Sequence, residues 1–265
     1  MDLEHRLHEQ DLQRLRGFRI FDDDFLGAVF EDNYEATELL LNVLFNRKDM
    51  KVSKTARQRE IKGLEGHSVR LDISAEDSDR RVYDIEIQRQ DKGDLQLRSR
   101  YYSSLLDTTL LQKNEGYDKL VPTYVIFFME KNMFDDSRPL RHYVMKELED
   151  NGLLGDDRHI MFVNGDNKDE STALGRLIHD FKCTAAKDMY YDVLAQRVRY
   201  FKETEGGIRQ MCKVMEDMRR EAAIYASIET ARYCNLKEEE IKKMIMEMYS
   251  LDADTADNYL LKKGA

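Results

Sequence analysis

The segment RLDISAEDSDRRVYDIEIQRQ, residues 70–90, places acidic side chains on what its pattern predicts to be a β-hairpin. Apolar and polar residues alternate on both sides of EDSDRR, and the residues of that hexapeptide favour a turn. If the turn is centred on Asp79, Asp72 lies directly opposite Glu86. Opposed like charges destabilise a sheet, so a cation held between these two carboxylates would explain the pair.

Oxygen donors of this kind suit Mg²⁺ or Mn²⁺, which keep part of their water shell and bind phosphate oxygens. Such an ion stabilises the charge of a phosphoryl displacement and lowers the pKa of the attacking water. The Ile87 carbonyl is a further candidate ligand, and Gln88 shares the strand face of Glu86. Asp84 faces a serine in the same register and is expected to be a neighbour of the site. The alternative is an ordinary solvated polar face in a highly charged chain.

The elements around this hairpin follow from hydrophobic periodicity. A helix over residues 35–45, with Asn33 as its cap, precedes a weak strand over residues 51–61 and then the hairpin. Next come a helical pattern over residues 95–112 and a buried apolar strand over residues 123–129. Two more strands follow, over residues 141–148 and 159–164. Beyond Ser171 the pattern is helical to the end, as in an amphipathic appendage.

The composition limits the class of protein. The chain has 265 residues, of which 42% are hydrophobic and 35% charged, which argues against disorder and against a membrane protein. The charged N-terminal stretch is unlike a secretory signal. Cys183, Cys212 and Cys234 have neither zinc nor redox spacing and are expected to be free thiols in the cytoplasm. The net charge of −10 argues against nucleic-acid binding by overall charge but leaves a local basic groove open.

Several segments in the same order resemble the PD-(D/E)XK nuclease family transposases, also described as recombination-promoting nucleases. They are SVRLDISAEDSDRRVYDIEIQRQ, RSRYYSSLLDTTLL, LVPTYVIFFMEKNMF, HIMFVNG, LGRLIHDFKC and MCKVMEDM. The resemblance extends from about residue 22 to residue 222. It implies an α/β restriction-endonuclease-like core of order αβββαβ, with a mixed sheet flanked by helices and an α-helical C-terminal extension. We therefore expect an N-terminal arm over 1–21, a PD-(D/E)XK nuclease-like domain over 22–170 and a helical region over 171–265.

The resemblance also implies metal-dependent cleavage of DNA and assigns roles to residues. Asp72 and Glu86 fall at the two core acids of the family, and Gln88 falls where a lysine is expected. Glu38 is a candidate additional metal ligand, since the first helix often supplies an acid in this superfamily. Glutamine keeps hydrogen bonding but lacks the positive charge. The candidates for that charge and for phosphate contacts are Arg89, Lys92, Arg98 and Arg100.

Three functions stay open at this point. The leading one is a Mg²⁺- or Mn²⁺-dependent DNA endonuclease of the mobile-element type, located in the cytoplasm and compatible with a homodimer. The second is a nuclease-fold binding protein that has lost catalysis, because Gln88 replaces lysine. The third is an RNase or defence effector that uses the same site. The triplet His179–Asp180–Phe181 is also characteristic of the resemblance, but we assign it no chemical role.

Overall fold

The computed structural model describes residues 3–61, 69–90, 93–111 and 113–261. The chain divides into two compact units, one of Arg14–Thr204 and one of Met1–Gln13 with Glu205–Ala265. These limits differ from the expected boundaries at residues 21/22 and 170/171. The helices directly after residue 170 belong to the first unit because Phe181 packs against Phe128 of the sheet and Phe201 packs against Phe25 of a neighbouring helix.

The first unit contains the helices and strands that build the sheet. Its helices are α2 (Asp23–Phe30), α3 (Tyr34–Leu44), α4 (Leu95–Leu110), α5 (Ala173–Lys182) and α6 (Asp192–Glu203), and α1 (Leu3–Gly17) begins in the other unit. Its strands are β1 (Val52–Ile61), β2 (Val69–Asp77), β3 (Val82–Gln88), β4 (Thr123–Met129), β5 (Leu140–Tyr143) and β6 (Arg158–Asn164). The predicted order of helix, three strands, helix and strand is confirmed.

The described strands form one six-stranded mixed sheet of order β1-β2-β3-β4-β6-β5. The β1–β2, β2–β3 and β5–β6 pairs are antiparallel, whereas β3–β4 and β4–β6 are parallel. The strand predicted over residues 141–148 is wrong in extent, since β5 ends at Tyr143. Beyond it the chain turns back on itself through a bridge between Lys146 and Leu153.

Helices cover both faces of the central strands. On one face Phe128 stacks on Phe181 of α5, with ring centroids 5.2 Å apart. On the other face Leu105 and Leu106 of α4 pack against Phe127 of β4. All seven residues of β3 are consequently buried, as is usual for a strand with a parallel neighbour. The acidic face of β3 is therefore covered, and the alternative of a solvated polar face is wrong.

The second unit is helical, as predicted for the end of the chain. It contains α7 (Glu205–Tyr233), α8 (Glu238–Tyr249) and α9 (Ala253–Leu261). Ile224 and Ile228 of α7 pack with Ile241 and Ile245 of α8. This small apolar core holds the helices together.

Candidate active site

Strands β2 and β3 pair in the register that the sequence predicts. Ser74 lies opposite Asp84, and Ile73 lies opposite Ile85. This is the symmetric pairing about Asp79, so the assumed register is confirmed. Beyond Ile73 the two strands are joined by hydrogen bonds between side chains and backbone.

Asp72 and Glu86 each bind the backbone of the opposite strand. The Asp72 N–H donates to Glu86 Oε1 at 2.9 Å, and the Ile87 N–H donates to Asp72 Oδ2 at 2.9 Å. Each carboxylate uses one oxygen in these bonds, which fixes its position. The structure thus brings the two predicted acids together across the end of the hairpin.

Asp84 lies beside these two acids, opposite Ser74 as the sequence predicts. Its side chain is 0% exposed, and apart from the neighbouring Glu86 carboxyl, when that group holds a proton, no donor of the described residues bonds either carboxylate oxygen. Glu86, on the same strand face, is 4% exposed. A hydrogen bond between these two carboxyl groups requires that one of them holds a proton.

The electrostatics of the acids reflect this crowding. Burial raises the pKa of Asp84 to about 8; the hydrogen bond from Glu86 opposes the rise and the charge of Asp72 adds to it. Burial also raises the pKa of Glu86 well above its ordinary range, and the charges of Asp84 and Asp72 add to that effect. Buried like charges disfavour ionisation, so a bound cation would lower the pKa of both acids.

A divalent cation fits this donor set. It would offset the repulsion between the carboxylates, and oxygen donors are those that Mg²⁺ and Mn²⁺ prefer. The Glu130 N–H donates to the carbonyl of Gln88 at 2.9 Å, so Gln88 turns its peptide groups towards β4. Successive residues of a strand alternate in this direction. The Ile87 carbonyl therefore turns towards β2, the side on which the Ile87 N–H meets Asp72.

The carboxylate oxygens of Asp72, Asp84 and Glu86 lie farther apart than the ligand atoms around a bound ion. Among the described residues, the one group of three His, Cys, Asp or Glu side chains with ligand atoms all within 4.8 Å of one another lies elsewhere, on α5. The wider spacing of Asp72, Asp84 and Glu86 is in line with the repulsion between them.

Both polar atoms of the Gln88 side-chain amide form hydrogen bonds. Its Oε1 accepts a hydrogen bond from Arg98 Nη1 at 2.5 Å, and its Nε2 donates to the carbonyl of Gln90. The Arg98 guanidinium lies 5.6 Å from the ring centroids of both Tyr102 and Phe127. Helix α4 positions this arginine, since its buried leucines fix it to the sheet. The positively charged Arg98 consequently contacts Gln88, the residue that stands where a lysine is expected.

The other predicted cations lie in different surroundings. Arg89 forms ion pairs with Glu130 at 3.2 Å and with Asp22 at 3.1 Å. Arg100 is exposed on α4, and Lys92 lies outside the described residues. Of the predicted cations that are described, Arg98 is the one that the structure joins to the acidic strand.

Glu38 requires a correction, because the structure does not bring it to the acids. Its carboxylate binds Lys51 Nζ at 2.9 Å and the Val52 N–H at 3.1 Å. Val52 pairs with Asp77, which lies five residues from Asp72 along β2, or about 17 Å at about 3.3–3.4 Å per residue. Glu38 thus fastens α3 to the start of β1 and is not a ligand at this site.

The mixed sheet with acids on adjoining strands β2 and β3 defines a nuclease core of the PD-(D/E)XK type. In agreement with this, the family model of the PD-(D/E)XK nuclease family transposases matches residues 28–256. The chain belongs to this family, and its function is accordingly of the nuclease type. Comparisons with curated proteins and with solved structures give no match. Within the described ranges, no helix has both the length and the apolar character needed to cross a membrane.

Proposed function

We propose that the protein is a Mg²⁺- or Mn²⁺-dependent DNA endonuclease of the mobile-element type. The observation that carries the proposal is the placement of Asp72 and Glu86 across the hairpin, beside the buried carboxyl group of Asp84. In this proposal the carboxylates of Asp72 and Glu86 and the Ile87 carbonyl hold the ion. When bound, the ion would activate water and stabilise the negative charge that develops on the phosphate.

The proposal also assigns roles to the positively charged residues around the acids. Arg98 supplies the positive charge that a lysine would otherwise bring, and Gln88 holds its guanidinium beside the acids. Asp72 is half-buried, whereas Asp84 and Glu86 are buried, so the phosphate approaches from the Asp72 end. Arg100, together with Lys92 and Arg89, would contact neighbouring phosphates, which supply much of the affinity for DNA.

Nicking of supercoiled plasmid by the full-length protein with Mg²⁺ or Mn²⁺ tests the proposal. We expect cleavage that EDTA stops and that Asp72→Asn and Glu86→Gln each abolish. Asp79→Asn is the matched control, because this acid lies in the exposed turn of the same hairpin. Equal nicking by the wild type and by Asp72→Asn would contradict the assignment.

A second candidate is a binding protein that keeps the fold without catalysis. The observation in its favour is that both ends of the Gln88 amide are already bonded, to Arg98 and to Gln90. It predicts that no nucleic acid is cleaved with Mg²⁺ or Mn²⁺, and micromolar binding of either ion in calorimetry that Asp72→Asn abolishes would count against it.

A panel of plasmid, single-stranded DNA and RNA separates these candidates. Cleavage of RNA alone would indicate the RNase that uses the same site. The homodimer and the cytoplasmic location stay predictions.

A further inference from the structure

The C-terminal end of α5 brings together three side chains that bind transition metals. They are His179, Asp180 and Cys183, and their ligand atoms all lie within 4.8 Å of one another. His179 and Cys183 are four residues apart and so lie on one face at the end of the helix. Sequence reasoning gave the triplet 179–181 no role and found no zinc spacing among the cysteines. It compared cysteines only with one another, so it did not consider this cluster.

The distances between the ligand atoms fit a tetrahedral zinc site. His179 Nδ1 lies 3.3 Å from Asp180 Oδ1 and 3.5 Å from Cys183 Sγ. With ordinary zinc bond lengths, tetrahedral coordination places nitrogen and oxygen ligands about 3.3 Å apart and nitrogen and sulfur ligands about 3.6 Å apart. These two distances already match tetrahedral coordination, and Cys183 Sγ also lies 3.9 Å from His179 Nε2.

The carboxylate of Asp180 is fixed by the backbone of the segment that leads into α6. Its Oδ1 accepts the Tyr190 N–H and its Oδ2 accepts the Tyr191 N–H, both at 2.8 Å. The side chain is 0% exposed, while His179 is 31% exposed on the adjoining surface. Carboxylate ligands in metal sites are typically oriented by such hydrogen bonds. The Asp180 carboxylate is thus already held in place for an ion that enters past the partly exposed His179.

The charge around Cys183 also favours a cation. The negative charges that act on its thiol are those of Asp180, Asp188 and Glu170. The end of α5 adds the partial negative charge of a helix C-terminus. The carbonyl of Asp188, 3.6 Å from Cys183 Sγ, or a water molecule is available for the fourth position. Nitrogen and sulfur donors select zinc over Mg²⁺, so this cluster calls for a different ion from the nuclease site.

We propose that His179, Asp180 and Cys183 bind Zn²⁺ as a structural site that joins the end of α5 to the start of α6. The site would stabilise the sheet unit, because α5 packs on β4 through Phe181. It uses neither Asp72 nor Glu86 and is independent of DNA cleavage.

Cobalt substitution of the full-length protein tests the site, because a thiolate ligand gives Co²⁺ an intense near-ultraviolet charge-transfer band. After removal of metals with a chelator, we expect one equivalent of Co²⁺ to produce this band and Zn²⁺ to displace it. Cys183→Ser should lose the band, weaken Zn²⁺ binding at least about tenfold and lose the rise in melting temperature that Zn²⁺ gives the wild type. Asp72→Asn should keep the band, since oxygen ligands do not produce it.

The double variant Cys212→Ser/Cys234→Ser is the matched control. It leaves Cys183 as the sole thiol of the chain, so the band must persist in it. This control keeps the test decisive even if Cys183→Ser does not fold. Absence of the band from the wild type, or its loss in the double variant, would overturn the proposal.

Discussion

Replacing Asp84 by asparagine should stabilise the metal-free protein near neutral pH. The substitution keeps the shape of a side chain that is 0% exposed and removes a carboxyl group to which, apart from the neighbouring Glu86 carboxyl, no donor of the described residues bonds. The new amide can donate to the neighbouring Glu86. The prediction is unusual because substitutions of buried residues mostly destabilise.

The magnitude follows from the pKa of Asp84, which burial raises from 3.8 to about 8. Between these values the folded state binds more protons than the unfolded state, so the stability of the wild type falls as the pH rises through this window. At about pH 7, keeping Asp84 protonated costs up to about 4 kcal/mol relative to an unfolded chain, at about 1.4 kcal/mol per pH unit. Asparagine does not titrate and avoids this cost.

Urea denaturation in EDTA measures the effect. We expect Asp84→Asn to raise the free energy of unfolding by about 2–4 kcal/mol near pH 7 and to have almost no effect near about pH 2.5, well below the ordinary pKa of 3.8, where the acid is protonated in both states. Asp77→Asn is the matched control, because Asp77 is equally buried but accepts hydrogen bonds from the Tyr83 hydroxyl and from Arg81. It should destabilise by about 1–3 kcal/mol. A loss of stability in Asp84→Asn, or a gain equal at both pH values, would refute the reasoning.

Three further substitutions separate the roles of other residues. Arg98→Ala should lower plasmid nicking by about 100-fold while calorimetry shows unchanged Mn²⁺ affinity; Arg100→Ala should lower nicking far less, and equal losses would contradict the role of Arg98. Glu38→Gln should leave nicking within about twofold and lower the free energy of unfolding by less than about 1 kcal/mol, as for an ion pair with an exposed lysine; abolished nicking would restore it as a ligand. Phe181→Ala should cost about 3–5 kcal/mol in urea denaturation, because its ring packs on Phe128; a cost below about 1 kcal/mol would contradict that packing.

The hairpin and its acids could be predicted because their signals are local. The period-two alternation and the turn residues set the register of β2 against β3, and that register places Asp72 opposite Glu86. The burial of Asp84 could not be predicted, since it depends on how α4, the next element along the chain, packs over the strand, and local periodicity does not reveal that packing. The bond of Arg98 to Gln88 has the same origin. Glu38 was misplaced because a helical pattern does not reveal which partner its side chain meets.

Diffraction from a crystal soaked with Mn²⁺ tests the central claim most directly. The proposal predicts an anomalous peak between Asp72 and Glu86, with their carboxylate oxygens and the Ile87 carbonyl at about 2.0–2.3 Å. It also predicts that the peak disappears in Asp72→Asn. Full occupancy by Mn²⁺ at other positions, with no peak between these two acids, would contradict a metal-dependent nuclease site in this hairpin.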